Sequence, residues 1–300
     1  MKKEKGILLI ALGHPIYGKM AAALAASIKV AQTETPVVLY CNDKSVSRLM
    51  DGEKKLFDKM ITMPEDYYIV NGIERFLKAK TFVYDLSPFD ETIFLDVDMI
   101  WNPKKKPEDL FEELKNLDFT MCNEGYVDFG SGINRLKPNY TFWFDLAEFR
   151  TKYSRNKKIM SNKLYQLRSE FIYFKKNKAM EKYFEMVKNV YDNPQIEVTF
   201  VGNGLADEYA YNVASCLTAT YPHKDYYSPM YWHYKYTSKK PSRAEIMKDF
   251  YLISMGGNKS DKFSEEFYND IAAAAYQQLG LYNAHKHVNK QKFLTERNKF

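Results

Sequence analysis

Read for apolar and polar positions, the first hundred residues alternate between short unbroken apolar runs and longer mixed segments. Residues 6–12 form one such run, 36–40 a second, 60–63 a weaker third and 92–95 a fourth. Runs of about four to seven apolar residues bounded by turn formers predict strands buried on both faces. Between them, residues 13–17 read as a Gly/Pro loop, 19–30 as an Ala-rich helix, and 73–86 as a helix that ends before Ser87 and Pro88. Strands alternating with helices predict an α/β fold: a mostly parallel sheet flanked by helices, with ligands bound beyond the carboxyl ends of the strands.

The second half is less regular. Residues 178–191, 205–217 and 263–278 carry helical patterns, Ser242 and Glu245 form a capping box opening another helix, and 222–236 reads as an aromatic, His-containing loop. Neither a repeat nor a low-complexity linker interrupts this order.

Composition narrows the class. With 300 residues, 45% hydrophobic and 16% aromatic, the chain has ample material for one large α/β domain with an elaboration, or for two small ones, and disorder is excluded. The net charge of +6 favours an anionic partner, and it is concentrated. Residues 150–178 hold ten Lys/Arg and one acidic residue, a local +9, with tyrosines and phenylalanines interleaved. Cys41, Cys122 and Cys216 are odd in number and far apart, so neither a disulfide framework nor a zinc site is expected, and the compartment is expected to be reducing.

The lysines at 2, 3 and 5 followed by an apolar run imitate a secretory signal, but His14, Pro15 and Lys19 interrupt the apolar core early. No run reaches the ~18 apolar residues of a membrane span. The expectation is a cytoplasmic protein.

The sharpest chemical signal is Asp96-Val97-Asp98 at the carboxyl end of the strand at 92–95. Two carboxylates two positions apart can leave a sheet together and hold a hard divalent cation through oxygen, and such a cation relieves charge on a departing diphosphate. Solvated acids in a strand-end turn are the plainer alternative, but apolar residues on both sides favour a ligand site. Gly13, Gly18 and Lys19 follow a strand with the spacing of a phosphate-binding P-loop, whose final Ser/Thr is replaced by Met20. That keeps a nucleotide kinase or ATPase open as a rival reading, although a thioether ligates Mg²⁺ poorly.

Residues 87–98, SPFDETIFLDVD, resemble the segment leading into the DxD motif of GT-A fold glycosyltransferases, including the glycogenin and galactosyltransferase-like group. Lys78 and Lys80 match the family's diphosphate-contacting base, residues 169–174 resemble the strand after the acceptor region, and Asp207-Glu208 with Asn212 resemble the family's helix-start acidic pair. The order agrees over roughly residues 5–215.

The resemblance implies a GT-A Rossmann-like sheet with a helical C-terminal extension: a nucleotide-sugar-binding half at 1–125, an acceptor-side half at 126–232 and the extension at 233–300. It implies a glycosyltransferase using a nucleotide-diphosphate sugar, UDP-sugar first, with Mn²⁺ or Mg²⁺. Gly13, Tyr17 and Asp43 are then expected to hold base and ribose, Lys80 and Asp96 the diphosphate, and Asp96 and Asp98 the metal. Asp207 or Glu208 is expected to hold or deprotonate the acceptor or to steady the cationic sugar. The family's C-terminal metal-ligating His motif is absent, and His233, His285 and His287 are substitutes.

Residues 125–167 have no counterpart in the family, so the acceptor must be read from the charge. The basic, aromatic run favours DNA carrying a hydroxylated base, as in glycosyltransferases of DNA-modifying bacteriophages, with the host cytoplasm as the site if the chain is phage-encoded. A cell-surface glycan acceptor, and a non-catalytic nucleic-acid-binding module, are the alternatives.

Overall fold

The computed structural model describes residues 4–137, 142–232, 241–255 and 262–281. They form two compact units, each assembled from separate stretches of chain.

One unit comprises residues 5–63, 95–116 and the described residues from 229 onward. Its strands Lys5–Ala11, Val37–Cys41 and Lys59–Thr62 pair in parallel, with Ile7 opposite Val37 and Val38 opposite Lys59, so the first strand's continuous apolar run is buried as the sequence requires. The helix Pro15–Lys29 starts earlier than the sequence reading, because Pro15 supplies a helix-ready φ at N1 and His14 Nδ1 caps it by accepting from Ile16 N at 3.2 Å. Ala21, Ala22, Ala23, Ala25 and Ala26 are completely buried. Their small side chains let this helix pack both against the strand Met99–Trp101 and against the helix Lys262–Gln278. Met99–Trp101 belongs to a second, three-stranded sheet with Leu252–Ser254 and Met230–Tyr231, and Trp101 N donates to Ser27 Oγ at 2.9 Å.

The other unit comprises Glu4, residues 64–94 and the described residues of 117–228. Its strand order is Glu91–Leu95, Lys163–Lys175, Phe119–Asp128, the last two antiparallel. Register shifts interrupt that long pair at Met121/Cys122 and between Asn123 and Tyr126. Gly125 permits the second shift: its φ is +95°, and a Cβ there would lie 2.0 Å from Arg135 O. Helices Lys178–Asp192 and Asp207–Thr218 pack on each other in this unit.

The helix expected over 73–86 begins only at Phe76 and is 3₁₀ up to its last turn, and it ends at Leu86 before Ser87 and Pro88. Its expected start instead belongs to a small hairpin, Ile69–Val70 with Ile73–Glu74, which precedes the 3₁₀ helix Phe76–Phe82 and one α-turn Val83–Leu86. Asn71 and Gly72 both take positive φ, 53° and 75°, which is the hairpin geometry this dipeptide favours over helix. Taken together, the chain is α/β with a largely parallel sheet flanked by helices.

Candidate active site

In the first unit the carboxyl ends of the parallel strands carry the residues expected to hold a nucleotide. Gly13 has φ +80°, and its N–H donates to Asn42 Oδ1 at 3.2 Å, which fixes the first loop against the second. Asn42 also caps the short helix Asp43–Val46, accepting from Ser45 N at 3.0 Å, while Ser45 Oγ donates to Ala11 O at 2.7 Å. This places Asp43 exposed at the helix start and Tyr17 half-buried on the first turn of Pro15–Lys29.

The P-loop reading fails on this geometry. Gly18 and Lys19 lie inside the helix rather than in a phosphate-wrapping loop. Gly18 is needed for close approach, since a Cβ there would sit 2.2 Å from Ser45 O. Lys19 is buried, its Nζ 2.5 Å from Glu53 Oε2, and Glu53 also accepts from Met50 N at 2.8 Å and Tyr276 OH at 3.2 Å. A lysine committed to a buried carboxylate cannot serve a nucleotide phosphate without leaving that carboxylate uncompensated.

Asp96, Val97 and Asp98 form the turn between the wholly buried strand Glu91–Leu95 and the wholly buried Met99–Trp101. Asp96 and Asp98 are half-buried and Val97 is buried. The backbone at Asp98 is pinned, its carbonyl accepting from Met255 N at 3.0 Å, and Ser254 pairs with Met99. Oδ1 of Asp98 is buried, and the fully buried Tyr268 hydroxyl has its pKa pushed up by burial first and by the Asp98 carboxylate second. Sequence reasoning missed Met255 and Tyr268, which come from far along the chain.

Among the described residues no three His, Cys, Asp or Glu side chains gather as a metal-ligating set. His233, His285 and His287 lie outside the described residues. The Asp96/Asp98 pair nevertheless fits a hard cation of the Mg²⁺ type, which takes one or two carboxylates and completes its shell with substrate phosphate oxygens and water.

The second unit holds a separate cluster. Asp207 and Glu208 open the helix Asp207–Thr218 and are almost fully buried, at 1% and 9% exposure. Burial chiefly, then the neighbouring Asp207 and Glu170, push the Glu208 carboxyl well above the usual carboxylate range, against the opposing pull of Lys80 and Arg168. Lys80 Nζ reaches Ser169 Oγ at 3.5 Å, and its carbonyl accepts from Tyr211 OH at 2.7 Å. Asn212 Oδ1 accepts from Leu167 N at 2.9 Å, tying the helix to the strand Lys163–Lys175. In the sequence Arg168 stands in a basic run with nothing to mark it, and Glu170 enters only as part of the stretch 169–174 that resembles the family's strand.

Lys78, by contrast, is drawn off to Asp192, at 2.8 Å. Lys176 Nζ donates to Ser87 O at 2.5 Å and lies 5.7 Å from the Tyr84 ring centroid, so it braces the fold and does not belong to a free basic track. Beside the cluster a cavity of about 420 Å³ is lined by Val70, Arg75, Tyr191, Ile196, Phe200 and Leu205 among others. Tyr191 couples the two, because the field of Asp207 adds to burial in raising its hydroxyl pKa.

No protein-family model matches the chain, and no curated protein matches it significantly. Solved structures do. An active-site mutant of LgtC is similar at 13% identity over 89% of this chain and 95% of that one, with a TM-score of 0.50. LgtC, a galactosyltransferase, is also solved with donor and acceptor sugar analogues. The glycosyltransferase GlyE of Streptococcus pneumoniae TIGR4 is similar at 12% identity over 94% of this chain, with a TM-score of 0.52, and the chain spans 64% of GlyE. The fold is that of GT-A glycosyltransferases.

Proposed function

We propose that the chain is a metal-dependent glycosyltransferase that moves a sugar from a nucleotide-diphosphate sugar, a UDP-sugar first among them, to an acceptor hydroxyl. The observation that carries this is the Asp96-Val97-Asp98 turn, two carboxyl groups held at the junction of two fully buried strands in a GT-A fold. A divalent cation, when bound, acts there as a Lewis acid that relieves charge on the departing diphosphate. Asp96 and Asp98 are the residues that hold it, and Gly13, Tyr17 and Asp43 receive the nucleoside.

On the acceptor side, burial first and then the neighbouring Asp207 and Glu170 favour the protonated form of Glu208, which suits it to donating a hydrogen bond to the substrate. Asp207 helps to hold that proton in place by its charge, and Lys80 and Arg168 moderate it. The cavity beside Tyr191 and Leu205 receives the acceptor, which we take to be a hydroxylated base in DNA.

A thermal-shift experiment tests the donor assignment. UDP with Mn²⁺ is expected to raise the melting temperature by mass action, and ATP with Mg²⁺ to leave it unmoved. Stabilisation by ATP alone, with no response to any nucleoside diphosphate or nucleotide sugar, overturns it.

A further inference from the structure

The basic run at 150–178 divides in the structure. Residues 163–175 form the long strand Lys163–Lys175, in which Arg168 faces Glu208 electrostatically, and Lys176 is bonded to Ser87 O. Arg150, Lys152, Arg155, Lys157 and Lys158 instead are exposed, on the last turn of the helix Leu146–Tyr153 and the turn beyond it.

The segment is fixed in place. Phe149 and Ile159 are completely buried at its two ends, and Asn156 Oδ1 accepts from Lys158 N at 3.1 Å and Ile159 N at 3.2 Å. Among the described residues none of the five cations takes part in an ion pair, whereas Lys29, Lys78, Lys188 and Arg243 each meet a carboxylate within 2.8 Å. Attraction to the helix carboxyl end accounts for Arg150 and Lys152 only, since it fades within the last turn. Arg155, Lys157 and Lys158 lie past the helix, and among the described residues none pairs with their charge.

We infer that residues 150–158 are a phosphate-contacting surface for a nucleic-acid strand. The other exposed residues of the segment are Thr151, Ser154 and Asn156, all polar, the two hydroxyls donating to Ala147 O and Thr151 O, and no large apolar side chain is exposed within it. A lipid-binding surface needs apolar residues on the same face to enter the acyl boundary, so an all-polar cationic surface favours backbone phosphates in water. As the route by which an acceptor arrives, this rests on the sugar-transfer reading; as a binding surface, it does not.

The test is fluorescence anisotropy of labelled duplex and single-stranded DNA against salt, with the wild type and the combined Arg155→Glu, Lys157→Glu, Lys158→Glu variant. For the wild type, log affinity is expected to fall linearly with log salt. The variant is expected to bind duplex at least about 10-fold more weakly, with a slope shallower by about 2 to 3, because each lost phosphate contact removes about 0.9. Its melting temperature and its hydrolysis of nucleotide sugar are expected to stay unchanged. No salt-dependent DNA binding by the wild type, or an unchanged slope in the variant, overturns the inference. So does binding to phosphatidylserine vesicles that the reversals abolish while DNA is not bound. Failure of the transfer reading shows separately, as DNA binding without any nucleotide-sugar hydrolysis.

Discussion

Two pairs of carboxyl groups stand at the ends of regular elements in this chain, and they are built in opposite ways. Asp96 and Asp98 are separated by one buried residue and sit half-buried in a turn. Asp207 and Glu208 are adjacent and almost fully buried, in a cluster with Glu170, Lys80 and Arg168. Spacing and exposure suit the first pair to a cation, which takes oxygens from one or two carboxylates. Adjacency and burial suit the second to proton holding, because two close acids out of water cannot both ionise cheaply.

The largest expected effect breaks the first pair. Asp98→Asn is expected to lower nucleotide-sugar turnover at least about 10³-fold, about 4 kcal/mol of transition-state stabilisation, with little change in melting temperature. Steady-state kinetics beside a melting curve check it, and near wild-type turnover contradicts it.

Lys19→Met separates scaffold from site within the same unit. It leaves Glu53 buried without its cation and is expected to destabilise the fold by about 3 to 5 kcal/mol, read by denaturant unfolding. Loss of nucleotide binding with stability intact would instead return Lys19 to a phosphate role.

Glu208→Gln sharpens the second pair. Turnover is expected to drop about 10²-fold, the usual size of one positioned acid–base group. Stability is expected to move the other way with pH. Because the folded-state pKa of Glu208 lies above the unfolded value of about 4.3, its stabilising contribution is full below that value and is lost as pH rises through the folded pKa. The wild type is therefore expected to lose stability relative to Glu208→Gln as pH rises, and parallel curves contradict the assignment. Asp207→Asn removes a negative neighbour, so the alkaline limb of the activity profile is expected to shift to lower pH.

The smallest effect is expected from Asp43→Ala. Asp43 is exposed, so stability is expected to change by no more than about 0.5 kcal/mol, with the consequence confined to a higher KM for the donor.

The strands were legible because burial on both faces writes itself as an unbroken apolar run, and 6–12, 36–40 and 92–95 each lie within about a residue of the observed elements. The DxD turn was legible for the same reason. Asn71-Gly72 marks the hairpin at 69–74, but its second strand overlaps the start of the helical pattern over 73–86, which hides it in the sequence. Gly18 and Lys19 imitate a phosphate loop, yet the glycine serves a close helix-to-helix approach visible only in three dimensions.

The cluster around Glu208 was half legible. Its adjacent acids could be seen, but Lys80, Arg168 and Glu170 lie tens of residues away and meet it only through tertiary packing. The basic run read as one feature because charge counting ignores that a strand takes part of it into the fold.

The most direct measurement is release of UDP from UDP-sugars by the purified protein, in Mn²⁺, in EDTA, and in EDTA with Mn²⁺ restored in excess. The account predicts turnover of at least one donor with Mn²⁺, none in EDTA and recovery on restoration, with Asp98→Asn inactive throughout. Full turnover in EDTA, or in Asp98→Asn, would contradict it.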